Sequence, residues 1–452
     1  MPSQGTIGDR VRGLRLSRRM SQAQLAGPDL SDSYVSLIES GKRTPTPVVA
    51  RLLAERLGCT TEFLLHGIEP RQRIDTELGL RHAELELLHG DPSAAADRFG
   101  EIVKVAGEEN AMLAAQARFG RARALEAQGR IGPAVEAFER LRREAVAHPE
   151  RLADLPLAVA LSRCYQRAGD TRRAHDLAAY ALTQTDRLAL TQGEIAIDLA
   201  VTLMQTGAAR EPGSPSTAYV RTVLAVNGIP TAINRTAEIH ALWQASVLAA
   251  DGEDSALAIH LADDAIATGR PARVACRLAL VAMDWARLAV AQGGGPLDEA
   301  RELATAASGV FAAFPERALE HARSLVVLAH VQLGVGDLEN AAGQAEAALT
   351  VLNGQGPIIA ATAQLVLARV ALARARGDVL EMLNTAEELL AAVRSESSGP
   401  DREAAQVWRE LGDLYGGVGA GEEQADAYRR ALEAAGVRDA MVGVTVDSAL
   451  VR

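Results

Sequence analysis

The sequence predicts an all-α protein in two parts: a domain of five short helices, then a long stack of paired helices. Three observations predict it. Helix start and stop signals follow one another closely between residues 6 and 67. Beyond them, one plan of apolar helix, glycine break and alanine-rich helix recurs at a period near ~34 residues, a spacing typical of helical repeats. Aromatic residues make up only 3% of the 452 and β-branched runs are few, so strands have little to build on.

The first element is IGDRVRGLRLSRR, residues 7–19, an amphipathic helix with Ile7, Val11, Leu14 and Leu16 apolar. Ser21 followed by Gln24 has the form of a capping box, in which hydroxyl and amide each satisfy an orphaned backbone N–H. A helix therefore starts near Gln22, and Gly27-Pro28 ends it by Ala26. Ser31 offers the next N-cap. Tyr34, Val35, Leu37 and Ile38 recur at helical spacing until Gly41 supplies a left-handed stop, which gives a helix over about 32–40. Thr46, with Pro47 in the first turn, starts a helix whose inner face is Val48, Leu52, Leu53 and Leu57, and Thr60 to Leu65 makes a last short one.

Two helices joined by so short a turn form a helix-turn-helix, in which the second helix enters the major groove. Leu14-Arg15, Ser21-Gln22, Leu25-Ala26, the run Ser33 to Ser36, Ile38-Glu39, Gly41-Lys42-Arg43, Pro45 and the closing Phe63 to Gly67 together resemble the Xre/Cro/C1-type DNA-binding family over residues 6–67. The turn Gly27 to Leu30 is about one residue shorter than the family's usual one. The resemblance implies a lambda-repressor-like domain over 1–67 that binds double-stranded DNA. It makes Gln22 a phosphate or base-edge contact, though a good helix-start residue fits the same position. Asp32, Ser33, Ser36 and Leu37 begin or face out of the reading helix and are the base-edge candidates, with Ser31 beside them as a DNA-binding candidate. Asp32 accepts from a cytosine amino group or stabilises the helix dipole, and both readings stand. Tyr34 touches phosphate or packs inward. Lys42, Arg43 and Thr44 sit where the family grips the sugar-phosphate backbone, and Arg15 pairs with Glu39 inside the domain. Arg10, Arg12, Arg18 and Arg19 are read as solvated or phosphate-facing.

Charge divides the chain the same way. Residues 1–67 hold nine Lys and Arg against six Asp and Glu, while the whole chain carries −11, so only the N-terminal part is positive. An excess this small predicts weak, salt-sensitive binding by one copy. A homodimer reading half-sites about 34–36 Å apart, or a multiple of that spacing, is therefore expected.

Residues 68–75 read as a linker, 76–436 as about nine helix pairs, and 437–452 as a tail. Leu78 to Leu88 breaks at Gly90-Asp91 and resumes through Ala95 and Phe99. Breaks at Gly129, Gly169-Asp170 and Gly336-Asp337 repeat the plan, with Ala134 and Phe138, Ala174 and Ala181, and Ala341, Ala345 and Ala348 beyond them. Trp408, Leu411-Gly412, Tyr415, Tyr428 and Ala431 fall on the skeleton of the tetratricopeptide repeat, which this segment resembles. That implies a right-handed TPR-like α-solenoid whose first helices line a groove. On this register Arg163, Arg167, Asp198, Gln205, Arg323 and His330 point into the groove, as anchors for a ligand or as the wet face of amphipathic helices. GAAREPGSPST, residues 207–217, is a hinge candidate or an ordinary long connection; spacing is also irregular at 293–296.

No apolar run approaches the ~18 residues of a membrane span, and the start lacks a signal segment, so a cytoplasmic protein is expected. Cys59, Cys164 and Cys276 stand far apart, which supports neither a disulfide framework nor a zinc site. No phosphate loop, paired-histidine motif or nucleophile motif appears. We therefore expect no enzyme, metal or cofactor. The two parts together resemble Rgg/PlcR-type regulators, which implies a DNA-binding transcription regulator whose TPR domain dimerises and senses a peptide or small-molecule effector. An alternative is an interaction scaffold recruiting a regulatory protein, with the helix-turn-helix as a secondary dock.

Overall fold

A computed structural model describes residues 6–67, 70–106, 110–209, 211, 213–291, 297–375, 377–393 and 401–437. Every regular element among them is helical. Five short helices come first: α1 (Ile7–Ser17), α2 (Gln22–Ala26), α3 (Asp32–Glu39), α4 (Pro47–Arg56) and α5 (Thr61–His66). Each starts at a hydroxyl cap: Thr6, Ser21, Ser31, Thr46 and Thr60 each accept an N–H from the first turn. At Thr6 and Ser21 the side chains of Asp9 and Gln24 return the bond. Val11, Leu25, Val35, Ile38, Leu53 and Leu64 share one closed core.

Three apolar residues read as inward, Leu16, Val48 and Leu52, fall outside it. Leu16 is 56% exposed and Val48 is 77% exposed. The cause is helical phase: Val11 and Arg15 hold the inward row of α1, and Ala50, Leu53 and Leu57 that of α4, which leaves Leu16 and Val48 on the far side.

Seventeen further helices follow among the described residues: α6 (Pro70–His89), α7 (Pro92–Ala106), α8 (Ala111–Ala127), α9 (Ile131–Ala147), α10 (Asp154–Arg167), α11 (Thr171–Arg187), α12 (Glu194–Thr206), α13 (Pro215–Asn227), α14 (Thr236–Asp251), α15 (Ser255–Ala291), α16 (Leu297–Ala312), α17 (Ala318–Val335), α18 (Leu338–Leu352), α19 (Pro357–Ala373), α20 (Val379–Ala391), α21 (Arg402–Gly417) and α22 (Gly421–Ala434). The glycine breaks lie where α6 meets α7, α8 meets α9, α10 meets α11 and α17 meets α18. Beyond them Ala134, Ala174, Ala341, Ala345 and Ala348 are fully buried, because only small side chains let paired helices approach this closely.

The chain divides into two compact units, residues 1–177 with 235–270, and residues 178–234 with 271–452. The long helix α15 contributes its first part to one unit and its second to the other. With α15 counted in both roles, the described helices make nine pairs. In the first unit Phe99, Phe138 and Leu157 fill the space between successive pairs, and α14 with the start of α15 packs on α6 through Ile239, Ala258, Ala262 and Ala265 against Leu78 and Leu85. In the second unit Ala329, Leu352 and Val366 form one cluster, and Leu365, Leu383, Trp408 and Tyr415 another. Tyr415 is fully buried with its hydroxyl 3.0 Å from Asn384 Oδ1 and 2.9 Å from Glu387 Oε2.

Residues 70–75, read as linker, are the first turns of α6. The segment 207–217 links α12 to α13 and is tied down among its described residues: Thr217 Oγ1 lies 3.1 Å from the Ala209 carbonyl and 2.7 Å from that of Glu211. Residues 293–296 and the tail beyond Val437 lie outside the described residues. No helix among the described residues is long and apolar enough to cross a membrane, and no group of three potential ligands there holds a metal.

Gly120 shows how tight the pair packing is, since a Cβ there would lie 2.4 Å from the buried Phe99 ring. Gly120→Ala in the full chain is expected to lower stability by about 1–3 kcal/mol. Gly309, with open space around it on α16, is the control, and Gly309→Ala should gain up to about 1 kcal/mol. Urea midpoints read both signs.

Candidate DNA interface

The site is built on α3, whose two faces differ sharply. Val35, Ile38 and Glu39 are buried, while Asp32, Ser33, Ser36 and Leu37 form an exposed row at one-turn spacing, with Leu37 at 37% exposure. Ser31 caps the helix by accepting the Tyr34 N–H at 3.2 Å. Beyond Glu39, Gly41 turns the chain at φ +70°, and the Lys42 and Arg43 N–H groups both donate to the Leu37 carbonyl, at 3.0 and 3.2 Å. Lys42, Arg43 and Thr44 are thereby held exposed beside the row. Tyr34 is half-buried under the Arg43 guanidinium, which stands 4.8 Å from the ring centroid. A contact of this kind contributes about 0.5–1 kcal/mol at an exposed site.

Beneath the row lies a buried ion pair. Arg15 Nε and Nη2 donate to the two oxygens of Glu39 at 2.6 and 3.0 Å, and the side chains are only 10% and 5% exposed. Arg15 Nη1 also donates to the Met20 carbonyl at 2.9 Å. Gln22 Nε2 donates to Glu39 Oε2 at 2.8 Å, so its amide nitrogen is turned to the carboxylate. Burial pushes the Glu39 carboxyl up, but the hydrogen bonds from Arg15 and Gln22 and the Arg15 charge overcome it and hold the group below its ordinary value.

Gly8 fixes α3 against α1. A Cβ there would stand 2.4 Å from the Ile38 carbonyl oxygen, so only glycine lets the helices meet. The sequence reading passed over it, although a glycine inside a helix is itself a signal of close approach.

Two cations read as solvated or phosphate-facing, Arg10 and Arg18, are engaged within the domain, and so is Arg56. Arg10 donates to the Leu64 and Leu65 carbonyls at 3.0 and 2.7 Å, closing the end of α5. Arg18 donates to the Gly58 carbonyl at 3.2 Å. Arg56 reaches from α4 to the Leu25 carbonyl at 3.1 Å, the Ala26 carbonyl and the Asp29 carboxylate, which pins the short turn. With Arg15, four of the nine cations serve the fold; Arg12, Arg19, Lys42, Arg43 and Arg51 are exposed.

The residues selected in the helix pairs, Gln205 apart, meet partners of their own. Arg163 clasps Glu126 with a fork at 2.6 and 3.0 Å, and Arg167 donates to the Glu126 carbonyl at 3.0 Å, so both tie α10 to α8 in the first unit. In the second unit Asp198 pairs with Arg277 at 3.0 Å, and Gln205 is exposed near the end of α12. Arg323 pairs with Glu403 at 2.8 Å, and His330 stands 3.8 Å from Glu410. Glu126, Arg277, Arg369, Glu403 and Glu410 escaped the sequence reading because a charged residue on an amphipathic helix looks like a solvated face.

The five-helix domain with its exposed second motif helix defines a helix-turn-helix DNA-binding domain. Residues 11–64 match the helix-turn-helix family model, so the N-terminal domain is of that type. No curated protein matches the chain. Among solved structures, the apo quorum sensor NprR from B. thuringiensis is similar at 12% identity, covering 95% of this chain and 99% of that one, with a TM-score of 0.49. Bacillus thuringiensis PlcR in complex with the peptide PapR7 and DNA is similar at 13% identity, over 70% of this chain and 98% of that one, with a TM-score of 0.35. A Rap protein complexed with competence and sporulation factor is similar at 12% identity, over 94% and 98%, with a TM-score of 0.42.

Arg15→Ala is expected to destabilise the N-terminal domain by about 3–5 kcal/mol, because it strands a buried carboxylate. The folded pKa of Glu39 is depressed, so its contribution is fully present above the ordinary carboxylate value and is lost as pH falls through the folded value. Glu39→Gln should be less stable at neutral pH, with a flatter fall in acid. Thermal midpoints of the full chain from pH 7 to pH 3 test it, and an unchanged acid slope would remove Glu39 as its source.

Proposed function

We propose that the chain is a cytoplasmic transcription regulator that binds duplex DNA as a homodimer through α3 and responds to an effector held by its helix pairs. The observation that carries the reading is the exposed row Asp32, Ser33, Ser36 and Leu37, bordered by Lys42, Arg43 and Thr44, on a helix whose other face is buried. Hydroxyls are permissive readers and Leu37 offers an apolar contact for a thymine methyl, so base choice comes from several modest contacts.

Few free cations support the dimer. Each phosphate neutralised adds a counterion-release increment, and one domain has few exposed arginines and lysines to supply it. A second copy doubles that number and adds a second half-site. The effector must bind one arrangement of the dimer better than another, since equal affinity shifts nothing. The proposal assigns the chain no catalytic step, cofactor or metal.

Selection of duplexes from a random pool by the full-length protein, with and without cell extract, tests the reading. A palindromic site whose occupancy responds to extract supports it, and no enrichment at low salt overturns it. On the selected site, Lys42→Ala should weaken all duplexes alike and lower the salt slope by about 0.9. Leu37→Ser should cost about 1–3 kcal/mol at one base pair while leaving non-specific binding unchanged.

A further inference from the structure

The second unit contains a row of charged side chains that cross from one helix to another over a third. α17, α19 and α21 are the first helices of three successive pairs, and α19 packs against both of the others. Arg323 and His330 on α17 are seven residues apart, two helical turns, and so are Glu403 and Glu410 on α21. Arg323 Nη2 donates to Glu403 Oε2 at 2.8 Å, and His330 Nε2 stands 3.8 Å from Glu410 Oε1. From the floor between them, Arg369 of α19 reaches the same Glu410 oxygen at 2.9 Å. The surface over α19 is thus a narrow groove whose rims touch through side chains.

Arginines outnumber carboxylates around this groove, with Arg323, Arg369 and Arg409 against Glu403 and Glu410. Arg323 uses one terminal nitrogen, which leaves most of its fork's five N–H donors without a protein partner among the described residues, while Arg369 Nη2 lies 2.9 Å from Glu410 Oε1 without completing a hydrogen bond to that buried oxygen. The one carboxylate of Glu410 faces both Arg369 and His330, with Arg409 near enough to act on it. His330 Nδ1 lies 2.9 Å from the Val326 carbonyl, so that nitrogen carries the proton and Nε2 is the atom turned to the groove. The two rim side chains that close the groove, Arg323 and Glu403, are 46% and 48% exposed. An ion pair that open is weak and separates readily. Glu410 is held more firmly, at 21% exposure.

We infer that the groove over α19 binds an anionic ligand through its carboxylates, with Arg323 and Arg369 as the forks that receive them and Glu403 as an internal stand-in that the ligand displaces. This rests on the effector reading above and names the chemistry of the effector. A carboxylate entering the groove completes bidentate pairs that Glu403 and Glu410 leave incomplete, and Glu403 swings into water at small cost. A cationic ligand would meet three arginines and only two carboxylates.

The test uses the full-length protein and three probes: a blocked hexapeptide alternating Glu and Ala, the same peptide with Gln for Glu, and glutarate. The Glu peptide is expected to bind at least tenfold more tightly than the Gln peptide by titration calorimetry. Arg323→Gln and Arg369→Gln should each weaken it about tenfold. Glu403→Gln should tighten it severalfold, because it removes the competitor, a sign that a merely structural role for Glu403 would not produce. Glutarate binding with the same variant pattern marks a small dicarboxylate as the source, and peptide binding alone marks an acidic segment. Equal binding of Glu and Gln peptides, no binding of any probe, or weakening by Glu403→Gln overturns the inference. Operator occupancy is measured in parallel. Carboxylate binding that never alters occupancy leaves the groove assignment standing and removes the effector reading, whereas occupancy that responds to extract in Arg323→Gln and Arg369→Gln as in the parent does the reverse.

Discussion

The N-terminal domain depends on one buried carboxylate. Glu39 ends α3 inside the core, and a charge in that position is tolerable only because Arg15 from α1 and Gln22 from α2 both donate to it. Three helices are therefore bound at a single point, and α3 cannot tilt without breaking charged hydrogen bonds. The Gly8 contact with the Ile38 carbonyl adds a steric limit from the same side. The rigidity of the exposed row follows from what lies behind it.

The division of arginines has a similar logic. Arg10, Arg18 and Arg56 each donate to carbonyls at the end of a helix or in the connection beyond it, where backbone acceptors lack helical partners. A small domain with short helices has many such carbonyls relative to its core. Using arginine for them stiffens the domain and draws on the same residue type that would contact phosphate. The cations left outside are few, and two of them, Lys42 and Arg43, stand beside α3.

Much of this was legible in the sequence, for identifiable reasons. Hydroxyl caps and glycine stops act over three or four residues, so the bounds of α2 and α3 could be read locally, and Val35 with Ile38 gave the phase of the inward face. Arg15 and Glu39, marked as partners by the family resemblance, do meet. Leu16 and Val48 misled because apolar character alone does not give phase, and a buried arginine took the place that Leu16 was given. The inward turn of Gln22 and the carbonyl contacts of Arg10, Arg18 and Arg56 link positions far apart in the chain and leave no local signature. The alanine and glycine pattern gave the helix pairs. It did not show that residues 235–270 join the first unit, because every pair presents similar apolar faces and neighbour choice is made in three dimensions.

That choice of neighbour ties the helix that follows the five-helix domain to residues far along the chain. α6 follows the five-helix domain closely in the chain, and the returning segment grips it in two chemically different ways. Arg81 pairs with Asp263 at 2.8 Å on the exposed side. On the buried side His82 Nε2 lies 2.8 Å from Ser246 Oγ, whose own proton goes to the Ala258 carbonyl at 2.6 Å. Burial pushes the His82 pKa down, so the ring is neutral at pH 7, and with the serine proton committed elsewhere Nε2 must be the donor. A chain of hydrogen bonds with one permitted direction running from α6 through α14 into α15 tolerates little displacement. Any rearrangement of residues 235–270 must then either move α6 with it or break this chain in an apolar setting, where unmade hydrogen bonds cost about 1–3 kcal/mol each.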